Sequence, residues 1–281
     1  MPQYLFIHFH HIRGMKSFSK ICSDIKNVKI QGAINVAKSA LKAYSINPTK
    51  NAKRKLISLR PTEPAMFNAL NIAEKKSIQF AEQHFTNAQQ FINHYVLKMI
   101  PSKSIIATHC HSNTLAEALI SAHKSGKNFK VVLTETRPLY QGRKTASQLS
   151  RAGINVSYFV DAAMHESIKQ ADLVMLGADA VTPKGAINKI GSAAIAEIAN
   201  THKKPLYIVT DSWKYYSKPL LIEQRPKKEI WSKAPGKINL KNPAFEIVPK
   251  KHISKIISEL GLNSYSSFLK EAKKELKRAA L

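Results

Sequence analysis

The strongest constraint on the fold lies after Pro101, where short β-type runs begin to alternate with helical stretches. The runs at 105–107, 130–134, 156–160, 173–176 and 206–210 are compact and rich in Val, Ile and Leu. Helical spacing fills the intervals at 115–124, 144–152, 167–170 and 193–201. Strands separated by helices of this length need right-handed crossovers, which predicts a parallel sheet covered on both faces. Residues 245–248 followed by 253–260 read as one more strand and helix.

The first hundred residues read differently. Apolar positions recur at helical spacing in Ile34, Ala37 and Leu41, and again in Phe67, Leu70, Ile72 and Phe80. A stretch over 80–100 places Phe85, Phe91, Tyr95 and Met99 on its expected buried side, and Pro101 closes it. The expected class is therefore α/β, with a helical domain over 1–100 and a doubly wound parallel sheet over 101–281.

Composition supports a folded chain. A hydrophobic share of 44% argues against disorder. Cys22 and Cys110 are too few for a disulfide framework, which fits a reducing cytoplasm. The apolar run at 4–9 is short and broken by His8, with His10, His11 and Arg13 close behind. It predicts neither a signal peptide nor a membrane span. The formal net charge of +26 attracts phosphorylated metabolites and nucleic acid alike. No aromatic residues interleave with the lysines as a stacking platform requires, so the charge permits RNA contact without indicating it.

In doubly wound sheets ligands bind beyond the carboxyl ends of the strands. The first strand ends in THCHSNT, which brings Cys110 to the rim between polar residues and just before a helix. A lone cysteine is ordinarily a small buried hydrophobe, but the helix dipole at this position lowers a thiol pKa. Two histidines flank Cys110. Adjacent residues of an extended segment point to opposite sides, and no CxxC or HxxxH partner is present, so no metal site is expected. The second strand ends in TETRPLYQGRKTA, where Arg137, Gln141, Gly142 and Arg143 precede a helix in an anion-binding arrangement. The fourth ends in GADAVTPKGAINKIGS. Asp179 there either caps the following turn or, half buried, holds a proton near neutrality. Asn188 and Lys189 offer an amide and a cation, with Gly191 allowing close approach.

These strand ends, in this order, resemble the ribose-1,5-bisphosphate isomerases. That superfamily is shared with methylthioribose-1-phosphate isomerases and the alpha, beta and delta subunits of translation initiation factor 2B. The match runs from Arg60 to about Leu260, with its most specific motifs between Thr108 and Ser192. The resemblance implies a helical N-terminal domain followed by a Rossmann-like domain. It implies an aldose–ketose isomerase of nucleotide or pentose salvage that makes ribulose 1,5-bisphosphate from ribose 1,5-bisphosphate without metal or organic cofactor. Cys110 would take a proton and Asp179 would donate one. Arg60 in LRPTEP would bind phosphate, and Ser112, Gln141, Asn188, Lys189 and Lys214 in DSWKYY would hold substrate. A homodimer or higher homo-oligomer is also implied.

One departure stands out. Isomerases usually carry Arg-Gly-Ala near the N-terminus, and this chain has Gln31, Gly32 and Ala33 within KIQGAINVA. Glutamine donates hydrogen bonds but brings no charge, which weakens a phosphate contact. Two alternatives stay open: methylthioribose-1-phosphate isomerase, and an initiation-factor-like regulatory subunit that binds a phosphorylated ligand without turnover and contacts a partner or RNA. Gln31 and the net charge favour the latter. Cys110 and Asp179 oppose it, because the initiation-factor subunits generally lack both.

Overall fold

A computed structural model describes residues 17–281; the run at 4–9 lies outside them. Five helices come first: α1, helical over 17–26, then α2 (Ala33–Ile46), α3 (Lys50–Leu59), α4 (Pro64–Lys75) and α5 (Ile78–Met99). Their starts are written in the sequence. Thr49 accepts a hydrogen bond from the Ala52 amide, Ser77 accepts one from Phe80, and Pro64 occupies the first turn of α4. These helices close on a core that includes Leu41, Leu56, Met66 and Leu70, and Trp213 from the sheet region enters it.

The α5 face differs from the expected one. Its buried side is Ala81, Phe85, Ala88, Ile92 and Val96. Phe91 is 54% exposed and Phe80 46%. The large aromatics suggest one stripe, but the small alanines define the face along which α5 approaches its neighbours. The two ends of α5 serve different cores. Phe85 belongs to the helical cluster, whereas Ile92, Val96 and Ile100 pack with Ile106, Leu119 and Val131 on one face of the sheet.

Beyond Pro101 the alternation holds: β1 (Ser104–Thr108), α6 (Asn113–Lys124), β2 (Phe129–Thr134), α7 (Gln141–Arg151), β3 (Asn155–Phe159), α8 (Met164–Lys169) and β4 (Leu173–Gly177). Then come β5 (Ala180–Val181), β6 (Gly185–Lys189), α9 (Ser192–Thr201), β7 (Leu206–Val209), β8 (Phe245–Pro249), β9 (Lys255–Ser258), β10 (Gly261–Asn263) and α10 (Tyr265–Ala280). The main sheet has the order β10-β9-β7-β4-β1-β2-β3. All its pairings are parallel except β9–β10. The chain lays β2 and β3 on one side of β1 and returns to place β4 on the other, so the switch point lies between β1 and β4. Among the described residues no helix is long and apolar enough to cross a membrane.

Two expectations are corrected here. Residues 253–260 are not a helix: they contain β9, which pairs with β7 and extends the sheet. A short apolar run such as that around Ile256 and Ile257 has no periodicity to separate the two states. The strand at 245–248 exists as β8, but it pairs with β6 in a separate antiparallel sheet of order β5-β6-β8. The strand end after Asp179 thus turns back on itself, with Thr182 and Gly185 exchanging backbone hydrogen bonds across the hairpin.

Gly142 marks a close approach of α7 to β2, since a Cβ there would lie 2.0 Å from the Thr134 carbonyl oxygen. Gly142→Ala is expected to destabilise the protein by about 1–3 kcal/mol, read as a lowered Tm in thermal unfolding.

Candidate active site

The ends of β1 and β4 open onto one cavity, which holds about 730 Å³ out to its mouth. The eleven residues that the family resemblance places at the site all line it: Gln31, Gly32, Ala33, Arg60, Cys110, Ser112, Gln141, Asp179, Asn188, Lys189 and Lys214. They come from seven separate segments. The β1–β4 register, with Ile106 opposite Leu173 and Ala107 opposite Val174, carries Cys110 and Asp179 out at the ends of adjacent strands. Gly177 makes this possible. A Cβ at Gly177 would meet the Ser112 side chain at 2.6 Å, so only glycine lets the end of β4 pass the start of α6.

Cys110 sits in the left-handed region with φ 65°, which few non-glycine residues adopt. Its amide donates to Thr136 Oγ1 at 3.0 Å, and its carbonyl accepts from Thr145 Oγ1 at 2.8 Å. Two threonines on flanking segments thus hold the conformation that turns the thiol toward the cavity rim. The flanking histidines are tied into the scaffold, though His111 also lines the cavity. His109 bonds Thr134 Oγ1 and the Ile190 carbonyl, and His111 bonds Thr145 Oγ1 and Asn113 Oδ1. Burial lowers the pKa of both, that of His111 to about 4, so each ring is neutral at physiological pH.

The expected lowering of the Cys110 pKa is corrected. Burial pushes the thiol up to about 11, against the attraction of Lys189. The helix α6 begins only at Asn113, with Ser112 as its cap, and the dipole effect falls off within the first turn. Asp179 is half-buried, as expected, and burial raises its pKa above the ordinary carboxylate value against Lys214, Lys189 and Arg60.

Three helices direct their N-termini at the cavity: α2 through Gly32 and Ala33, α6 through Asn113 and Thr114, and α7 through Gln141. Their partial positive charges add to those of Arg60, Lys189, Lys214 and Arg225. Gly32 caps α2 with φ 87° and gives the amides of its first turn no side-chain cap. Lys189 lies on β6 with Nζ 5.0 Å above the Phe245 ring, and Asn188 donates to Ser192 Oγ at 2.9 Å. Lys214 follows β7 on a short 3₁₀ turn, 3.7 Å from Asp211 Oδ2.

Some neighbouring residues do not reach the cavity. Arg137 and Arg143 instead stack on Tyr140, at 5.0 and 3.9 Å from its ring centre. Of the residues on that loop singled out in the sequence, only Gln141 lines the cavity. Gly191 gives its close approach to the His109 ring rather than to a ligand. Conversely, Glu63, Glu223 and Arg225 line the cavity without having been read from the sequence. Glu63 shares the LRPTEP segment with Arg60 but lies between α3 and α4, where no helical spacing applies; Glu223 and Arg225 lie in a loop with no sequence signal.

Gln31 donates weakly to the Val28 carbonyl at 3.3 Å. Gln31→Arg would add a cation at the mouth of the α2 amides. The variant is expected to bind inorganic phosphate more tightly by about 1.5–3 kcal/mol, measured by titration calorimetry.

Comparison with known proteins places this geometry. A model of the Initiation factor 2 subunit family matches residues 23–264. The chain is 34% identical over 273 residues to the ribose 1,5-bisphosphate isomerase of Methanocaldococcus jannaschii, covering 85% of this chain and 88% of the relative. Identity to the ribose 1,5-bisphosphate isomerase of Thermococcus kodakarensis is 32% over 296 residues, covering 88% and 91%. Among solved structures, the Pyrococcus horikoshii translation initiation factor eIF-2B aligns with a TM-score of 0.80 at 23% identity, covering 88% of this chain and 96% of that one. The 5-methylthioribose 1-phosphate isomerase of the same organism aligns at 0.74 and 24%, covering 93% and 87%. These two share the fold, an α/β architecture of helices followed by a Rossmann-like sheet. The chain belongs to the Initiation factor 2 subunit family.

Proposed function

We propose that the chain is an aldose–ketose isomerase converting ribose 1,5-bisphosphate to ribulose 1,5-bisphosphate. One observation carries the reading: Cys110 and Asp179 end adjacent strands and line one cavity ringed by cations and helix N-termini. Relatives at 30–34% identity bear the name of this activity.

The substrate is a ring locked by phosphate on its anomeric oxygen. Asp179, protonated in its buried setting, delivers a proton to the ring oxygen as the bond from C1 to that oxygen breaks. Cys110 thiolate removes the hydrogen on C2, leaving an enol that keeps its phosphate. Cys110 returns that proton to C1, while Asp179 carboxylate takes the proton of the C2 hydroxyl as the ketone forms. Both residues end as they began, and no external oxidant or reductant enters. Arg60, Lys189, Lys214 and the amides of α2 hold the two phosphates.

The test is incubation with ribose 1,5-bisphosphate in D₂O, followed by NMR. Ketose appears, with deuterium at C1 where the thiol exchanges with solvent; absence of ketose overturns the reading. A second reading is a regulatory subunit that binds phosphorylated ligand without turnover. It is favoured by Gln31 and by the two carboxylates on Arg60, and predicts salt-sensitive RNA or factor binding without ketose. We further propose a homodimer or higher homo-oligomer, to be read by light scattering.

A further inference from the structure

Arg60 lies between two carboxylates. Its Nη2 donates to Glu63 Oε1 at 2.9 Å and its Nε to Glu223 Oε2 at 2.9 Å. Its third nitrogen, Nη1, is buried with no hydrogen-bond partner among the described residues, and so is Glu63 Oε2. The two carboxylates are not equivalent. Glu223 is also held by Arg225 at 2.9 Å and keeps some exposure, whereas the Glu63 side chain is 1% exposed and among the described residues pairs with Arg60 alone.

Placing a phosphate against Arg60 brings further negative charge beside the buried Glu63 carboxyl. Arg60 cannot balance two carboxylates and a phosphate together. A proton on Glu63 removes one of the charges and converts Oε2 from an unpartnered acceptor into an O–H donor toward the phosphate. We infer that Glu63 is a positioning residue that orients Arg60 and couples phosphate binding there to uptake of a proton on its own carboxyl. This rests on reading the cavity as a phosphoester site, and goes beyond it by naming the proton and its carrier.

The charged groups around Glu63 are Arg60 on its own segment, Asp179 after β4, Lys214 after β7, and Glu223 from the loop before β8. Burial dominates their sum and pushes the Glu63 carboxyl up to about 8 in the free protein. The sign follows. Below that value Glu63 already carries its proton and binding takes up little. Above it the proton must be gathered on binding, so affinity falls as pH rises.

The test is calorimetric titration with inorganic phosphate, a dianion throughout the range, between pH 8 and 9.5. The association constant of the parental protein is expected to fall about tenfold or more across this range. At pH 9, buffers of different ionisation enthalpy should report roughly one proton taken up. Glu63→Gln keeps an acceptor for Arg60 Nη2 but cannot titrate, and its affinity should drift less than about twofold. Glu223→Gln is expected to retain the parental slope. The difference between the parental protein and Glu63→Gln, with Glu223→Gln as reference, isolates Glu63. A pH-independent parental affinity, the same slope in Glu63→Gln, or no phosphate binding at all overturns the inference. Binding is read without turnover, so failure to form ketose would remove the isomerase reading alone.

Discussion

Cys110→Ser is expected to lower kcat for ribose 1,5-bisphosphate isomerisation by about 10²–10⁴-fold, the range lost with a general base, while leaving phosphate affinity near the parental value. The loop should not change shape. The contacts that hold Cys110 in its left-handed conformation run through its backbone amide and carbonyl to Thr136 and Thr145, and neither involves sulfur. A serine hydroxyl is far too weak an acid to supply an oxyanion base near neutral pH. Ketose formation by NMR and phosphate binding by calorimetry separate the two effects. Turnover at the parental rate would remove Cys110 from the mechanism.

Asp179→Asn is expected to be as severe, about 10²–10⁴-fold in kcat, because an amide retains the shape of the carboxyl but has no proton to give. Its pH behaviour is the more informative readout. Turnover needs the thiolate at Cys110 together with the protonated carboxyl at Asp179. That pair holds as many protons as a thiol beside a carboxylate, so the ratio of the two is independent of pH while the pair keeps one proton. With the thiol raised to about 11 and the carboxyl also raised, both by burial, the parental profile is expected to be a broad bell. Its limbs belong to the pair rather than to either residue. In Asp179→Asn the pair no longer exists, and residual activity should climb with pH toward the thiol value. A bell of unchanged width in the variant would sink the assignment of Asp179 as the acid.

Much of this site was legible because the alternation after Pro101 orders the strand ends, and the doubly wound rule says where ligands go. Cys110, Gln141 and Asp179 each follow a strand that the apolar runs locate to within a residue or two. Asn188 and Lys189 were legible as a pair but not as part of β6, because a two-residue strand and a tight hairpin carry no periodicity. The thiol pKa was misread for a different reason. Helix dipoles can be inferred from the order of elements, but desolvation depends on what packs around the sulfur, and that is set by distant segments. Glu223 and Arg225 show the same limit, since a loop far along the chain closes the wall beside Arg60. The exposed Phe91 shows that side-chain size is a poor guide to a helix face when alanines carry the contact.

The helix α5 serves both cores, with Phe85 in one and Ile92 and Val96 in the other. A continuous hydrogen-bonded rod shared in this way is a mechanical strut. Through it the helices around Gly32 and Arg60 are tied to the face of the sheet beneath β1. The part of the cavity lined by Gly32 and Arg60 and the part that carries the thiol therefore share one support, and severing the chain at Pro101 is expected to disturb both.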